Sequence, residues 1–399
     1  MSKLEDLIAE LCPNGVEYKK IKDAYLRIKG TPITASKMKE IDSEDGEIRI
    51  FAGGKTVINA HESDIPKANI TRVPAVLVQS RGVIDAVYYD KPFTFKNEMW
   101  AYTSDSKISV KFLYYILKNN IQYFRDAASG MGSLPQISLH VTEDFEIPVP
   151  PLDVQAEIVR ILDTFTELTE NLTTELTARK KQYEYYRNAL LTFDDNNPLH
   201  SLISRYCPTG VEYKALEEVA SYPKNRIDSQ NLDENNYVGV ENLLQNKQGK
   251  TRANSIPKES KAICFSIGDV LIGNIRPYLK KIWFADCVGG TNGDVLVIHI
   301  HDKNVISPRF LYHILSSERF FLYDVRNSKG AKMPRGDKKA VMQFGIPIPP
   351  LEVQHQIVQI LDRFDALCND LTQGLPAEIE ARRKQYEYYR DQLLNFKRA

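Results

Sequence analysis

The sequence predicts an α+β protein built as a pseudo-twofold internal repeat: two globular mixed α/β segments, each followed by a long coiled-coil helix. The repeat itself is the first observation. Residues 12–18, Cys-Pro-Asn-Gly-Val-Glu-Tyr, return at 207–213 as Cys-Pro-Thr-Gly-Val-Glu-Tyr, and Arg179-Lys180-Lys181-Gln182-Tyr183-Glu184-Tyr185-Tyr186-Arg187 returns as Arg382-Arg383-Lys384-Gln385-Tyr386-Glu387-Tyr388-Tyr389-Arg390. The second observation is a junction, Pro150-Pro151-Leu152-Asp153-Val154-Gln155, that returns as Pro349-Pro350-Leu351-Glu352-Val353-Gln354. The third is apolar periodicity after each junction. An offset near 200 residues is far longer than the roughly 20–50 of a solenoid repeat, so the copies are domain-sized. Boundaries follow at 1–150 and 199–349 for the globular segments and at 151–198 and 350–399 for the helices.

Within the globular segments, short β-branched runs such as Val76-Leu77-Val78 and Val270-Leu271-Ile272 predict strands between Gly and Pro turns. Each segment also predicts one amphipathic helix near its end, around Phe112–Leu117 and Phe310–Leu315. The frame is kept between copies while most intervening residues differ, which reads as one fold with two surfaces.

After each diproline, which disfavours helix before it and fits a first turn, apolar residues fall at heptad spacing. They are Val154, Ile158, Ile161, Phe165, Leu168 and Leu172 in the first copy and Val353, Ile357, Ile360, Phe364, Leu367 and Leu371 in the second. A continuous helix here would span roughly 60 Å. From Leu168 the pattern becomes tetrads, Leu168-Thr169-Glu170-Asn171, Leu172-Thr173-Thr174-Glu175 and Leu176-Thr177-Ala178-Arg179; the second copy has one more, beginning at Leu367, Leu371, Leu375 and Ile379. Each tetrad adds about 6 Å of rise and about 40° of rotation beyond a full turn. Helix length is thus a ruler with a four-residue unit. Gly374 and Pro376 interrupt the second ruler; interior proline costs about 3 kcal/mol, so a kink or break is expected there.

Composition bounds the class. No run of about 18 apolar residues occurs and the opening Met-Ser-Lys-Leu-Glu-Asp has no signal-peptide pattern, so a cytoplasmic protein without a membrane is expected. Five scattered cysteines (Cys12, Cys207, Cys264, Cys287, Cys368) suggest neither disulfides nor a zinc site. Overall charge balances at 52 basic and 52 acidic residues. Local charge does not: Lys224–Lys281 holds ten Lys or Arg against six Asp or Glu, and Arg326–Lys339 six against one. Phosphate recognition needs such local positive faces rather than a positive total.

Enzymatic motifs are missing. Gly53-Gly54-Lys55-Thr56 fails as a phosphate loop because Arg49 stands where its first glycine belongs. His299 and His301 share a strand face without a third metal ligand nearby. Neither a Gly-x-Ser-x-Gly elbow, a His-Glu-x-x-His helix, nor an adenine-methyltransferase or nuclease motif occurs.

The paired junctions Ile147-Pro148-Val149-Pro150-Pro151-Leu152 and Ile346-Pro347-Ile348-Pro349-Pro350-Leu351, with Gln155 and Gln354, the tetrads and the Tyr-rich helix ends, resemble the specificity subunit of type I restriction-modification systems across essentially the whole chain. The resemblance implies two target-recognition domains, each reading half of a split site in double-stranded DNA, held apart by two antiparallel helices that dock two methyltransferase subunits. It implies that tetrad number sets the half-site spacing. It also implies a non-catalytic chain with no cofactor of its own: S-adenosylmethionine, ATP and magnesium serve the methyltransferase and the restriction and translocase subunits. Two other classes stay open, a coiled-coil scaffold joining binding domains and a stand-alone DNA-modifying enzyme.

Base readout needs Arg, Lys, Asn or Gln at groove edges, with neighbours on phosphates. In the first segment the candidates are Lys55 and the strand end Gln79-Ser80-Arg81, with Ser133 and Gln136 flanking Leu134-Pro135. In the second they are Asn274 and Arg276, Lys332 and Arg335 around Met333-Pro334, and Arg252 and Lys280 from the basic stretch. The reading pairs Arg81 with Arg276 and Gln136 with Arg335, Gln suiting adenine and Arg guanine; the competing reading for each is a solvated loop residue. On the helices, Tyr183, Tyr186, Tyr386 and Tyr389 fit either mutual packing or a partner surface, whereas Tyr185 and Tyr388 point elsewhere and are the partner-binding candidates.

Overall fold

A computed structural model of the chain describes residues 2–54, 56–65, 69–128, 134–256, 261–370 and 372–399. It forms two compact units, one from Met1–Asn171 with Glu380–Ala399, the other from Leu172–Ile379.

In the first unit the apolar run Ala75–Gln79 is a fully buried strand. It lies in an antiparallel sheet ordered Leu26–Lys29, Trp100–Thr103, Ala75–Gln79, Asp85–Tyr89. A smaller sheet pairs Ile48–Phe51 antiparallel with Val57–Ala60 and parallel with Phe93–Phe95. The second unit repeats the plan, with Val270–Gly273 between Val295–Ile300 and Ile282–Phe284. Both expected amphipathic helices form, at Lys107–Asn119, capped by the Ser106 side chain, and at Pro308–Leu315, with proline in its first turn.

The repeated junctions fold alike. Tyr18–Lys20 pairs with Glu146–Pro148 in the register Tyr18 to Pro148, and Tyr213–Ala215 pairs with Gly345–Pro347 in the register Tyr213 to Pro347. Buried Gln155 and Gln354 each donate from Nε2 to a proline carbonyl five residues earlier, Pro150 and Pro349, at 2.7 Å. That bond turns extended chain into helix and explains why glutamine follows the diproline. Cys12 and Cys207 join the cores of their units, and all five cysteines are unbridged.

The central helix runs unbroken over 39 residues, Leu152–Leu190, about 58 Å at 1.5 Å per residue. Its tetrad threonines are tolerated because their hydroxyls bond back to carbonyls four residues earlier, Thr169 to Phe165 and Thr177 to Thr173 at 2.9 Å. The heptad reading needs a correction. The deepest stripe is Val154, Ile158, Val159 and Leu162, whereas Ile161 and Phe165 are half-buried and Leu168 is exposed. A helix that packs on a globular domain and on another helix needs an apolar arc wider than one seam.

The second helix breaks, as its Gly and Pro predict: Leu351–Asn369 ends and Leu375–Leu393 begins. Asp370 fills the gap, its Oδ1 accepting from the Thr372 and Gln373 amides at 2.7 and 3.2 Å. A Cβ on Gly374 would stand 2.5 Å from the Ala366 carbonyl oxygen, so only glycine fits. Pro376 then occupies the first turn of the new helix, where its missing N–H costs nothing. Leu371 lies outside the described residues.

Candidate nucleic-acid interface

In the first unit the end of strand Ala75–Gln79 crosses the segment Pro135–Ile137. Arg81 and Gln136 form an antiparallel bridge, the Gly82 amide donates to the Pro135 carbonyl at 2.8 Å, and the Ile137 amide to that of Ser80 at 3.0 Å. The Gly54 amide closes on the Arg81 carbonyl at 3.1 Å, which gives Gly53-Gly54 a structural role. Arg81 and Gln136 are exposed, and bridge partners project to one side of a ladder. Gln136 also borders a cleft of about 590 Å³ that contains Arg27, Lys29, Asn69 and Asn97.

The second unit contains the same crossing with different side chains. Ile275 bridges Arg335, the Arg276 amide donates to Pro334 at 2.7 Å, and the Gly336 amide to Asn274 at 3.0 Å. Gln136 and Arg335 therefore correspond, as expected from the sequence. Arg81 and Arg276 do not. Arg81 matches Ile275, and Arg276 takes the place of Gly82, both with positive φ, +53° and +80°. The sequence alignment slips by one residue because it lined up arginines rather than the left-handed position.

Burial separates the candidates further. Gln79 and Ser80 are 7% and 0% exposed and Asn274 5%; the Ser80 hydroxyl donates to the Glu98 carbonyl. Buried, these three do not present their side chains to a ligand at the surface; Ser80 ties the strand end to Glu98, while the Asn274 Oδ1 has no hydrogen-bond partner among the described residues. Lys280, also left-handed at φ +51°, is bound to Glu318 at 2.6 Å beside Lys247, so its charge is spent internally. The short turn Pro277–Leu279 that follows Arg276 is thereby clamped at both ends. Arg335 reaches Asp294 at 3.1 Å while staying 57% exposed, and Lys332 is exposed without an ion pair among the described residues. Arg252 makes an open pair with Glu234 at 3.1 Å, next to Ala253 in a separate small core. Lys55 and Ser133 lie outside the described residues.

Tyr185 and Tyr388 are 68% and 60% exposed, each edge-on to an inward neighbour, Tyr186 or Tyr389. Those neighbours pack on helix phenylalanines, so for Tyr186 and Tyr389 mutual packing holds. Tyr183 is buried and stacked on Phe364, with the Arg187 guanidinium over its ring at 4.1 Å.

The sequence reading missed a latch between each amphipathic helix and its long helix. Asp163 accepts from Tyr115 at 2.5 Å and pairs with Lys111 at 2.8 Å. Asp362 accepts from His313 and Arg309 at 2.7 and 2.5 Å. Burial alone would raise the Asp362 carboxyl, but bonds from His313 and Arg309 outweigh it and hold it below the usual range. Basic and ring-bearing residues four apart at matching offsets in both copies were the available signal. His299, by contrast, pairs with Asp269 at 2.7 Å, and no cluster of metal-binding side chains occurs among the described residues. Nor is any described helix long and apolar enough to cross a membrane.

Comparison with known proteins gives a consistent answer. The family described as "Type I restriction modification DNA specificity domain" matches residues 13–179 and again 208–381. A type I restriction enzyme specificity subunit of Escherichia coli is 33% identical over 73% of this chain and 72% of its own. A putative counterpart from Haemophilus influenzae is 32% identical over 76% and 77%. The crystal structure of a type I restriction-modification S subunit from M. genitalium superposes with TM-score 0.60, covering 96% of both chains at 17% identity, a likeness of fold.

Proposed function

The chain belongs to the type I restriction modification DNA specificity family, and from that premise we propose that its segments 1–150 and 199–349 each read one half of an asymmetric, bipartite sequence in double-stranded DNA. One observation carries this most directly. The two units present the same backbone crossing with unlike side chains, exposed Arg81 and Gln136 against half-buried Ile275 and exposed Arg335. Equal frames with unequal tips suit two different half-sites. Arg276 and Lys332, exposed beside the second crossing, suit phosphates, which position a protein without reading sequence.

Helices 151–198 and 350–399 set the spacing and dock two methyltransferase subunits, with Tyr185 and Tyr388 at the contact, and restriction and translocase subunits join through the complex. The chain is non-catalytic: S-adenosylmethionine, ATP and magnesium act in the partners, and the assembly works in the cytoplasm. Removal of Leu172–Glu175 shortens the spacing by one ruler unit and spares both half-sites.

Co-expression with its methyltransferase partner, followed by single-molecule mapping of methylated adenines, tests the proposal. A split motif of two unlike halves at fixed spacing supports it. Methylation without sequence preference, or none from an assembled complex, overturns it in favour of a scaffold.

A further inference from the structure

We propose that Leu134 and Met333 are equivalent apolar wedges that press into the base stack of bound duplex, one in each half-site. The proposal rests on the DNA-reading assignment above and adds to it a role that base readout leaves unfilled.

Leu134 is 51% exposed and Met333 50%. Each stands immediately before the proline whose carbonyl closes the crossing, and two residues before the candidate base reader, Gln136 or Arg335. Neither proline is held loosely. Pro135 accepts from Gly82 and Pro334 from Arg276, while Lys329 and Arg335 exchange two backbone bonds of 2.9 Å that staple the Met333 loop into a closed turn.

A single exposed aliphatic residue is ordinary on a protein surface. These two differ from that background in their correspondence. Between the copies the polar tips change chemistry, Gln136 to Arg335 and Arg81 to Ile275, yet an exposed apolar side chain keeps its place beside them. Residues that differ between the units fit base identity, which differs between half-sites. A residue class that does not differ fits an act common to both. Duplex-deforming proteins insert Leu or Met between base steps, and enzymes that modify a base must first take it out of the stack. Exposed Arg81, Arg276 and Lys332 supply the cationic surroundings that bring such a wedge against a phosphate backbone.

The test uses the full chain assembled with its methyltransferase partner on duplexes of its own target, with 2-aminopurine placed in turn at each adenine in and beside both halves. The unmodified complex should brighten at one step in each half. Leu134→Ala should cut that rise by at least about threefold in the half read by residues 1–150 alone, and Met333→Ala in the other half alone, with the recognised sequence unchanged. Each variant should also methylate its own half more slowly, and a mismatch that pre-opens the same step should restore the rate, a rescue that damage to the fold would not allow. Unchanged fluorescence in both variants overturns the wedge. Relaxed preference at one base pair overturns it too, since the residue would then read sequence. Failure of the underlying DNA-reading assignment looks different: the unmodified complex would prefer no sequence before any substitution is made.

Discussion

Phe165 stacks on Tyr389 with ring centroids 5.5 Å apart and planes 22° from parallel. Phe364 repeats this on Tyr186 at 5.4 Å and 21°. In each unit, then, the first half of one long helix is closed by the Tyr-rich end of the other copy's helix. The pairs are not energetically equal, because Phe364 also stacks on Tyr183 at 6.0 Å. An aromatic pair contributes about 0.5–1.5 kcal/mol beyond area burial. Phe364→Leu should therefore destabilise its unit by about 1 kcal/mol more than Phe165→Leu does its own, read as hydrogen-exchange protection of each unit in the full chain. Equal losses would contradict the second stack.

Gly15 and Gly210 are matched in sequence and unmatched in surroundings. Gly15 has φ +106° and a Cβ there would stand 2.7–2.8 Å from the backbone of Lys397 and Ala399, because residues 396–399 strap across Val16 and Tyr18. Gly210 has φ +90° and open space. Gly210→Ala should cost only the left-handed penalty of about 1–2 kcal/mol, while Gly15→Ala should also release the strap and expose its amides to exchange.

Asp324 is fully buried, neither carboxylate oxygen has a hydrogen-bond partner among the described residues, and burial raises its pKa from 3.8 to about 6. It lies under the second crossing: a Cβ on Gly336 would meet Asp324 Oδ1 at 2.4 Å and Asn274 Oδ1 at 2.8 Å. Because the folded pKa exceeds the unfolded one, the unfolded chain ionises first and stability falls as pH rises from about 4 to about 6. The full loss is about 3 kcal/mol, from roughly 1.4 kcal/mol for each pKa unit. Asp324→Asn should remove that decline, so denaturation of the variant and the parent should agree at pH 4 and diverge above pH 6, the variant being more stable.

How much of this was legible in the sequence depends on the kind of feature. The repeat, the strands at Val76–Val78 and Val270–Ile272, and the break at Gly374 and Pro376 all follow from local chemistry that the chain states openly. The crossings were half legible: Gln136 and Arg335 were matched correctly because a proline precedes each. Arg276 was mismatched because identity of side chain says nothing of backbone φ. The burial of Gln79, Ser80 and Asn274 was hidden for another reason, since polar residues at a strand end look alike whether they meet solvent or a neighbouring carbonyl. The Asp163 and Asp362 latches join residues about 50 apart, a tertiary fact that periodicity does not encode.

The exposed pair Tyr185 and Tyr388 gives a prediction for assembly. Tyr185→Glu with Tyr388→Glu should leave melting of the chain unchanged, because neither ring is buried, yet weaken capture of the methyltransferase partner by tenfold or more, about 1.4 kcal/mol. Unchanged affinity in a pull-down titration would remove these residues from the interface.

The claim that matters most is that each crossing reads its own half-site. Its direct measurement is the methylated-adenine map of Arg335→Gln beside that of the parent chain, both assembled with the methyltransferase partner. A bidentate base contact carries about 1–3 kcal/mol of discrimination, so one base position in one half should change or relax, with the other half and the spacing intact. A motif altered in both halves or in its spacing, or one that does not change at all, would contradict the account.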